Sequence, residues 1–277
     1  MSKCDNCASK GSCSTVGGSC SKLFPKFGNI KSIIGIISGK GGVGKSTVTG
    51  LTALELVKQG FSVGILDADI TGPSMPRFFG IQDKRAQILP GENKDEIKFE
   101  PVRSNSGIKV MSLNLLTEEE EQPVIWRGPV INGVLNQMFS DTIWGELDYL
   151  LIDMPPGTGD IALTVMQSFP LTSLIIVSTP QDMVSMIVKK VVIMAQKLNV
   201  PISGVVENMS YVKCGSCEEK IRLFSKKTAE EQARYLGLPL IAELPMDLDL
   251  TESMENGEVE RYIFNTFNYK NIIGKIV

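Results

Sequence analysis

The segment Gly39-Lys40-Gly41-Gly42-Val43-Gly44-Lys45-Ser46-Thr47 follows the apolar run Ile33-Ile34-Gly35-Ile36-Ile37. Gly39, Gly44, Lys45 and Ser46 satisfy the spacing G-x-x-x-x-G-K-[ST] of a phosphate-binding loop. Glycines let backbone N–H groups turn inward around phosphate oxygens, and the helix that follows adds its N-terminal partial positive charge. Lys45 is then placed to reach the β- and γ-phosphates, and the Ser46 hydroxyl to sit on Mg²⁺. Lys40 is a further cation, directly after the first glycine, where an ordinary loop of this kind requires no charge.

Carboxylates follow at two later strand ends. The run Leu66-Asp67-Ala68-Asp69-Ile70-Thr71-Gly72-Pro73 puts two of them one strand over from the phosphate loop, suited to Mg²⁺ and an attacking water. Strand-end aspartates also serve as turn and helix caps, and the nearby phosphate loop favours chemistry here. In Leu150-Leu151-Ile152-Asp153-Met154-Pro155-Pro156-Gly157 an apolar strand ends in one carboxylate, the Walker B layout. Asp153 would bond a Mg²⁺-bound water, and Gly157 would be free to move when the γ-phosphate leaves. For the base, a GTPase of this class would carry N-K-x-D after a late strand. The nearest match, Asn93-Lys94-Asp95-Glu96, has the wrong last residue and lies in a charged insertion. Strand 201–207 ends instead at Glu207-Asn208, whose amide can meet the edge of adenine, so ATP is favoured.

Six cysteines lie in two groups: Cys4, Cys7, Cys13 and Cys20, then Cys214 and Cys217. In a reducing cytosol such grouping points to metal ligation rather than disulfides. The C-x-x-C at 214–217 supplies two thiolates, whereas zinc or a [4Fe–4S] cluster needs four. The missing pair comes from another segment or another subunit, and a two-fold axis would complete the set. A zinc knuckle completed by the N-terminal cysteines is the structural alternative, since thiolates suit both metals. The chain has no histidine, which excludes His-based triads, His-ligated zinc hydrolases and Rieske-type ligation.

These residues need a scaffold, and the chain of 277 residues suits one large α/β domain or a domain with an appendage. Residues 1–28 are rich in Cys, Ser, Gly and Lys and cannot form a core, so they are expected to be a tail or a metal-organised Cys-rich appendage. From residue 29 to 277, strand and helix signals alternate, which predicts a mostly parallel central sheet flanked by helices. Strands are predicted at 33–38, 62–67, 108–113, 149–153, 173–178, 201–207 and 240–244. Helices are predicted at 45–59, 128–140, 159–168, 182–198, 228–237 and 247–256, with a hairpin insertion at 81–107 turning at Pro90-Gly91. A net charge of −3 gives no bulk attraction to nucleic acid or anionic lipid. No apolar stretch approaches the ~18 residues of a membrane span, and the N-terminus lacks the apolar core of a secretory signal, so a cytoplasmic protein is expected.

The chain resembles the Mrp/ApbC-type iron–sulfur carrier P-loop ATPases, relatives of the nitrogenase iron protein and of the MinD/ParA positioning ATPases. The resemblance spans about residues 29–260 and rests on GKGGVGKST at 39–47, DADITGPSMP at 67–76, WRGP at 126–129, DMPPGTGD at 153–160, ENMS at 207–210 and CGSC at 214–217. It implies a homodimer with one ATP per subunit, in which Lys40 is the deviant Walker A lysine that crosses to the partner's nucleotide. It implies further that Lys45 holds phosphate, Ser46 binds Mg²⁺, Asp69 positions water, Asp153 is the switch II aspartate and Asn208 contacts adenine. Cys214 and Cys217 of both chains would ligate a labile bridging [4Fe–4S] cluster delivered to apo iron–sulfur proteins. Some members carry an N-terminal ferredoxin-like cluster. Here Cys4-x2-Cys7-x5-Cys13 fits part of that pattern, with no cysteine upstream and Cys20 as the fourth ligand; the other reading is a disordered tail. Arg127 is an interface residue or a helix-start ion pair. Two other classes share the superfamily: a nickel or other metal-insertion ATPase, and a MinD/ParA-like positioning ATPase. The latter lacks the paired cysteines and would carry a basic amphipathic terminal helix, whereas residues 261–277 hold few cations.

Overall fold

Strand β1 (Phe27–Ser38) lies near the middle of the main sheet and delivers the phosphate loop at its C-terminal end. The computed structural model describes residues 22–70, 72–91, 96–117, 128–217 and 219–265. On one side of β1 lie β7 (Ile143–Asp153), β2 (Val63–Asp67) and β6 (Lys109–Met111); on the other lie β8 (Ser173–Ser178), β9 (Ile202–Lys213) and β11 (Leu240–Pro245). All of these pair in parallel, in the order β11-β9-β8-β1-β7-β2-β6. Short antiparallel strands finish the sheet: β5 (Val102–Arg103) on β6, and β10 (Lys220–Ile221) on the far end of β9. The predicted hairpin insertion forms as β3 (Gln87–Pro90) against β4 (Ile97–Glu100), closed at its base by the Gly91 N–H donating to the Glu96 carbonyl.

The central strands read as unbroken apolar runs because helices cover both faces of the sheet. Along β1, Ile33 and Ile37 enter one core while Ile34 and Ile36 enter the other. The first core takes residues of α3 (Gly128–Ser140), α4 (Asp160–Ser168), α5 (Asp182–Lys197) and α6 (Ala229–Leu236). The second takes residues of α1 (Lys45–Lys58), α2 (Met75–Phe78), α7 (Leu248–Glu255) and α8 (Val259–Asn265). Helix α6 begins with a capping box, Thr228 with Glu231, and stops at left-handed Gly237.

Three strands are longer than their apolar cores predict. β1 begins at Phe27 and β7 at Ile143, pairing from Phe27↔Ile143 onward, and β9 runs to Lys213 rather than ending at residue 207. Their extra residues are mixed polar and apolar, as in Gly28-Asn29-Ile30-Lys31, so a search for buried runs passes over them. The predicted strand 108–113 is shorter, Lys109–Met111, because the chain turns into a 3₁₀ turn at Leu113–Leu115. Residues 22–28 also join the α/β body: Leu23 N–H donates to the Ser168 carbonyl, Lys26 N–H to that of Ser140, and Lys22 Nζ to those of Met166 and Phe169. Among the described residues no helix is long and apolar enough to cross a membrane.

Candidate nucleotide site and cysteine hairpin

The parallel register sets Asp67 directly beside Asp153, at the C-terminal ends of β2 and β7, and Ile36 of β1 lies on Asp153's other side. Ligands of open parallel sheets bind at this edge. Asp153 is fully buried and is the hub of the site. Its Oδ2 is 2.8 Å from Lys45 Nζ and accepts the Ser46 hydroxyl at 2.6 Å, while its Oδ1 accepts the Thr49 hydroxyl at 2.7 Å. Lys45, Ser46 and Thr49 share one face of the first turn of α1, so one carboxylate pins the start of that helix. Lys45 Nζ also lies 3.5 Å from Asp69 Oδ2.

Asp67 does different work from Asp69. Its oxygens accept the backbone N–H groups of Asp69, Ser74 and Met75 at 3.1–3.2 Å, and the Ser112 hydroxyl at 3.2 Å. It therefore shapes the loop that carries Asp69. Burial, and then the neighbouring Asp153 charge, push the Asp67 carboxyl up to about 7, with Lys45 pulling the other way. Asp69 and Asp153 both face the one ammonium of Lys45, and the oxygen donors of Ser46 and Asp153 are those Mg²⁺ prefers. The residues present thus fit a divalent cation.

The loop itself fits phosphate. A side chain built on Gly41 or Gly42 would meet nothing within 4 Å, so the backbone there faces open space. Gly42 and Gly44 both adopt φ +76, the left-handed conformation that turns successive N–H groups to one side. The carbonyl of Val43, between them, accepts a hydrogen bond from Asn208 Nδ2 at 3.0 Å. Lys40 Nζ is bonded within its own chain, to Gln181 Oε1 at 3.0 Å. Gly157 N–H donates to the Ser38 carbonyl at 2.7 Å, tying the loop after β7 to the root of the phosphate loop. A cavity of about 670 Å³ opens beside Ser46 and Thr47, bounded by α2 and the C-terminal end of α7.

Cys214 and Cys217 occupy a tight turn between β9 and β10, half-buried and exposed respectively. Cys214 N–H donates to the Glu219 carbonyl, closing the turn. The backbone N–H groups of Ser216 and then Cys217 point at the Cys214 sulfur and, with the Cys217 side chain, hold its thiol below the ordinary range. Thiolate is the form that ligates metal. Among the described residues no group of three or more Cys, His, Asp or Glu could hold a metal ion. Cys4, Cys7, Cys13 and Cys20 lie outside the described residues, as do Trp126 and Arg127.

Comparison with known proteins now decides the family. The profile described as "ParA: NUBPL iron-transfer P-loop NTPase" matches residues 29–277. The chain belongs to this family. An iron–sulfur cluster carrier protein of Clostridium perfringens is 63% identical over 271 residues, covering 95% of each chain. A nucleotide-binding protein of Archaeoglobus fulgidus, solved in complex with ADP, is 42% identical with a TM-score of 0.72, covering 87% of this chain and 93% of that one. The cell division ATPase MinD of Pyrococcus furiosus, at 22% identity and a TM-score of 0.61, shares the fold over 89% of this chain and 98% of its own.

The chain thus brings Lys45, Ser46, Asp69 and Asp153 together at one strand edge and places Asn208 against the loop. Cys214 and Cys217 lie in the turn just past the end of β9. Sequence reasoning passed over Thr49, Ser112 and Gln181. Thr49 alone had a legible signal, its position one helical turn after Ser46. The contact between Gly44 and Asn208 carries a prediction for this NTPase. A Cβ on Gly44 would sit on the Asn208 side-chain nitrogen, in a conformation L-residues disfavour by about 1–2 kcal/mol. Gly44→Ala should weaken nucleotide binding by about tenfold or more, and a calorimetric titration giving parental affinity would show the contact to be unimportant.

Proposed function

We propose that this chain is an ATP-dependent iron–sulfur cluster carrier, acting as a homodimer in the reducing cytoplasm and passing a labile [4Fe–4S] cluster to apo-proteins. The observation that carries this reading is the placement of the paired thiols: Cys214 and Cys217 sit in the turn that directly follows β9, the strand whose Asn208 touches the phosphate loop. The C. perfringens relative is named for cluster carriage, and the A. fulgidus relative was solved with ADP. Two thiolates per chain half-fill a four-coordinate centre, and a two-fold axis supplies the others. The surface beside the cysteines suits such pairing. Ile221, Leu223 and Phe224 follow Cys217 closely and are each 45–58% exposed, an apolar rim that a second copy of the hairpin would cover.

At the nucleotide, Lys45 and the loop N–H groups hold the phosphates, and Asn208 offers its amide to adenine. Ser46 and Asp153 would hold Mg²⁺, which supplies charge neutralisation on the β- and γ-phosphates when bound. Asp69, partly exposed beside Lys45, orients the attacking water. Lys40 exchanges Gln181 for the partner's nucleotide when the dimer closes. Lys40→Ala should therefore cut hydrolysis tenfold or more, in the manner of arginine fingers supplied in trans, and leave binding nearly intact. Lys45→Ala should lose about 1.5–3 kcal/mol of nucleotide binding. Affinity and turnover measured for both variants decide the point, and unchanged hydrolysis in Lys40→Ala would remove the cross-dimer role.

In this reading the Cys-rich stretch ahead of the Lys22 and Leu23 contacts carries Cys4, Cys7, Cys13 and Cys20 as a second iron–sulfur site. Anaerobic reconstitution tests the whole. With residues 1–21 deleted, which spares the contacts of Lys22 and Leu23, about four irons and four sulfides per pair of chains should remain. Tightly held zinc instead would favour a structural knuckle, and nickel a different metal-insertion ATPase.

A further inference from the structure

Strand β9 joins two things that the proposed function uses but does not connect. Midway along it the Asn208 amide holds the Val43 carbonyl of the phosphate loop, and the Met209 methyl lies near Gly44. At its C-terminal end the strand leads into the cysteine turn. Cys214 is six residues beyond Asn208, no more than about 20 Å at ~3.3 Å per strand residue.

A polar clamp flanks Asn208 and reaches toward the cysteine turn. Glu207 of β9 and Glu243 of β11 stand directly opposite each other in register, an arrangement that like charges disfavour. The Ser210 hydroxyl bridges them, 2.7 Å from an oxygen of each. Arg222, just past β10, lies 2.6 Å from Glu243 and donates to Ser210 Oγ at 3.2 Å. Lys220 of β10 lies 2.7 Å from the other Glu243 oxygen. Both cations belong to the returning arm of the cysteine hairpin, so the acidic pair is neutralised only while that arm is docked. Met209, between the loop-contacting Asn208 and the clamping Ser210, has φ 54, a left-handed conformation rare for a residue with a long side chain. The strand therefore bends at one strained residue, where its pairing with β11 also shifts register between Glu207 and Tyr211, and the Ser210–Glu207 bond spans the bend.

We propose that β9 is the coupling element of this protein, in which Asn208, Met209, Ser210 and Arg222 transmit the state of the phosphate loop to the position of Cys214 and Cys217. Nucleotide that re-seats the loop moves Val43 and, through its bond, Asn208. The bend at Met209 carries that movement to Ser210, and the clamp through Arg222 moves the hairpin as a unit. Ser210 and Arg222 are positioning residues, touching neither nucleotide nor thiol. From the proposed function this takes only that Cys214 and Cys217 are the working thiols.

The test reads the thiols directly, on the full chain, reduced and metal-free. Alkylation of Cys214 and Cys217 by iodoacetamide is followed by peptide mapping, with Mg²⁺ and either ADP or a non-hydrolysable ATP analogue. In the parent the two nucleotides should give rates differing by about fivefold or more, the lower edge of ordinary coupling between sites. Ser210→Ala and Arg222→Gln should bring that ratio to about one while keeping nucleotide affinity, and Arg222→Lys should restore part of it. Met209→Gly removes no hydrogen bond but frees the bend, and should also lower the ratio should the clamp variants fold poorly. Lys226→Gln, on the exposed surface nearby, should keep the parental ratio. A parental ratio of one, or clamp variants that keep the parental ratio, overturns the inference. The outcome is separable from the carrier reading: a chain that transfers its cluster with nucleotide-blind thiols keeps the function and loses the coupling. Nucleotide-sensitive thiols in a chain that binds no iron do the reverse.

Discussion

Asp153→Ala should abolish Mg²⁺-dependent hydrolysis and lower stability by about 3–5 kcal/mol, the cost of breaking a buried ion pair from one side. The carboxylate is fully buried and receives Lys45, Ser46 and Thr49 at once, while Lys45 itself is only 6% exposed. Alanine leaves a buried ammonium facing Asp69 at 3.5 Å as its remaining short-range anion at this edge. Asp153→Asn separates the two roles. An amide has one acceptor oxygen, so it can keep Lys45 and Ser46 or Thr49, but not all three. Folding should survive with a smaller loss, while the Mg²⁺ requirement shifts to higher concentration. The asparagine variant also has a pH signature. Asp67 has its carboxyl raised above the ordinary range by burial and by Asp153. Its contribution to stability is present at low pH and lost as pH rises from about 4 through about 7, because the folded state holds the proton longer than the unfolded chain. Removing the Asp153 charge lowers that carboxyl toward its ordinary range. The decline in melting temperature across this interval should therefore be shallower in Asp153→Asn than in the parent. Parallel curves would mean that the two aspartates do not sense each other.

How much of this was legible in the sequence follows from which interactions are local. The phosphate loop and the Asp153 strand end could be read because each is a contiguous string whose chemistry depends on neighbours in the chain. The fold class followed for the same reason: β1, β7 and β8 carry apolar runs that only two covering layers explain. Asp67 and Asp69 looked equivalent, two carboxylates after one strand. The structure separates them by what approaches from elsewhere, since Asp67 is claimed by Ser74, Met75 and Ser112 and only Asp69 faces Lys45 at the edge. The Gln181 partner of Lys40 is 141 positions away, and no local pattern announces it. The second half of β9, from residue 208, was missed because Asn208 and Ser210 are poor strand formers held there by the Glu243 and Arg222 clamp. Tertiary bonds override propensity there, and that stretch carries the link between nucleotide and cysteines.

Changing both Cys214 and Cys217 to alanine should abolish cluster transfer to an apo-ferredoxin acceptor, yet leave the fold and nucleotide affinity unchanged. The turn tolerates the exchange because its geometry is made by backbone bonds. The Cys214 N–H to Glu219 carbonyl bond and the pairing of Lys213 with Lys220 need no sulfur. Both side chains reach solvent, so no cavity is created in either core. What disappears is the whole ligand set at this turn, two thiolates in each chain and hence four in the proposed two-fold dimer. Single variants should behave almost as badly as the double one, since each dimer would then offer two thiolates where four are needed. A heterodimer of parent and double-alanine chains should likewise hold no transferable cluster. That result separates a shared centre from one completed within a single chain, in which half of the transfer activity would remain. Iron and sulfide content, together with acceptor activation, reads all three preparations. Parental transfer by the double variant would place the carrier site elsewhere in the molecule.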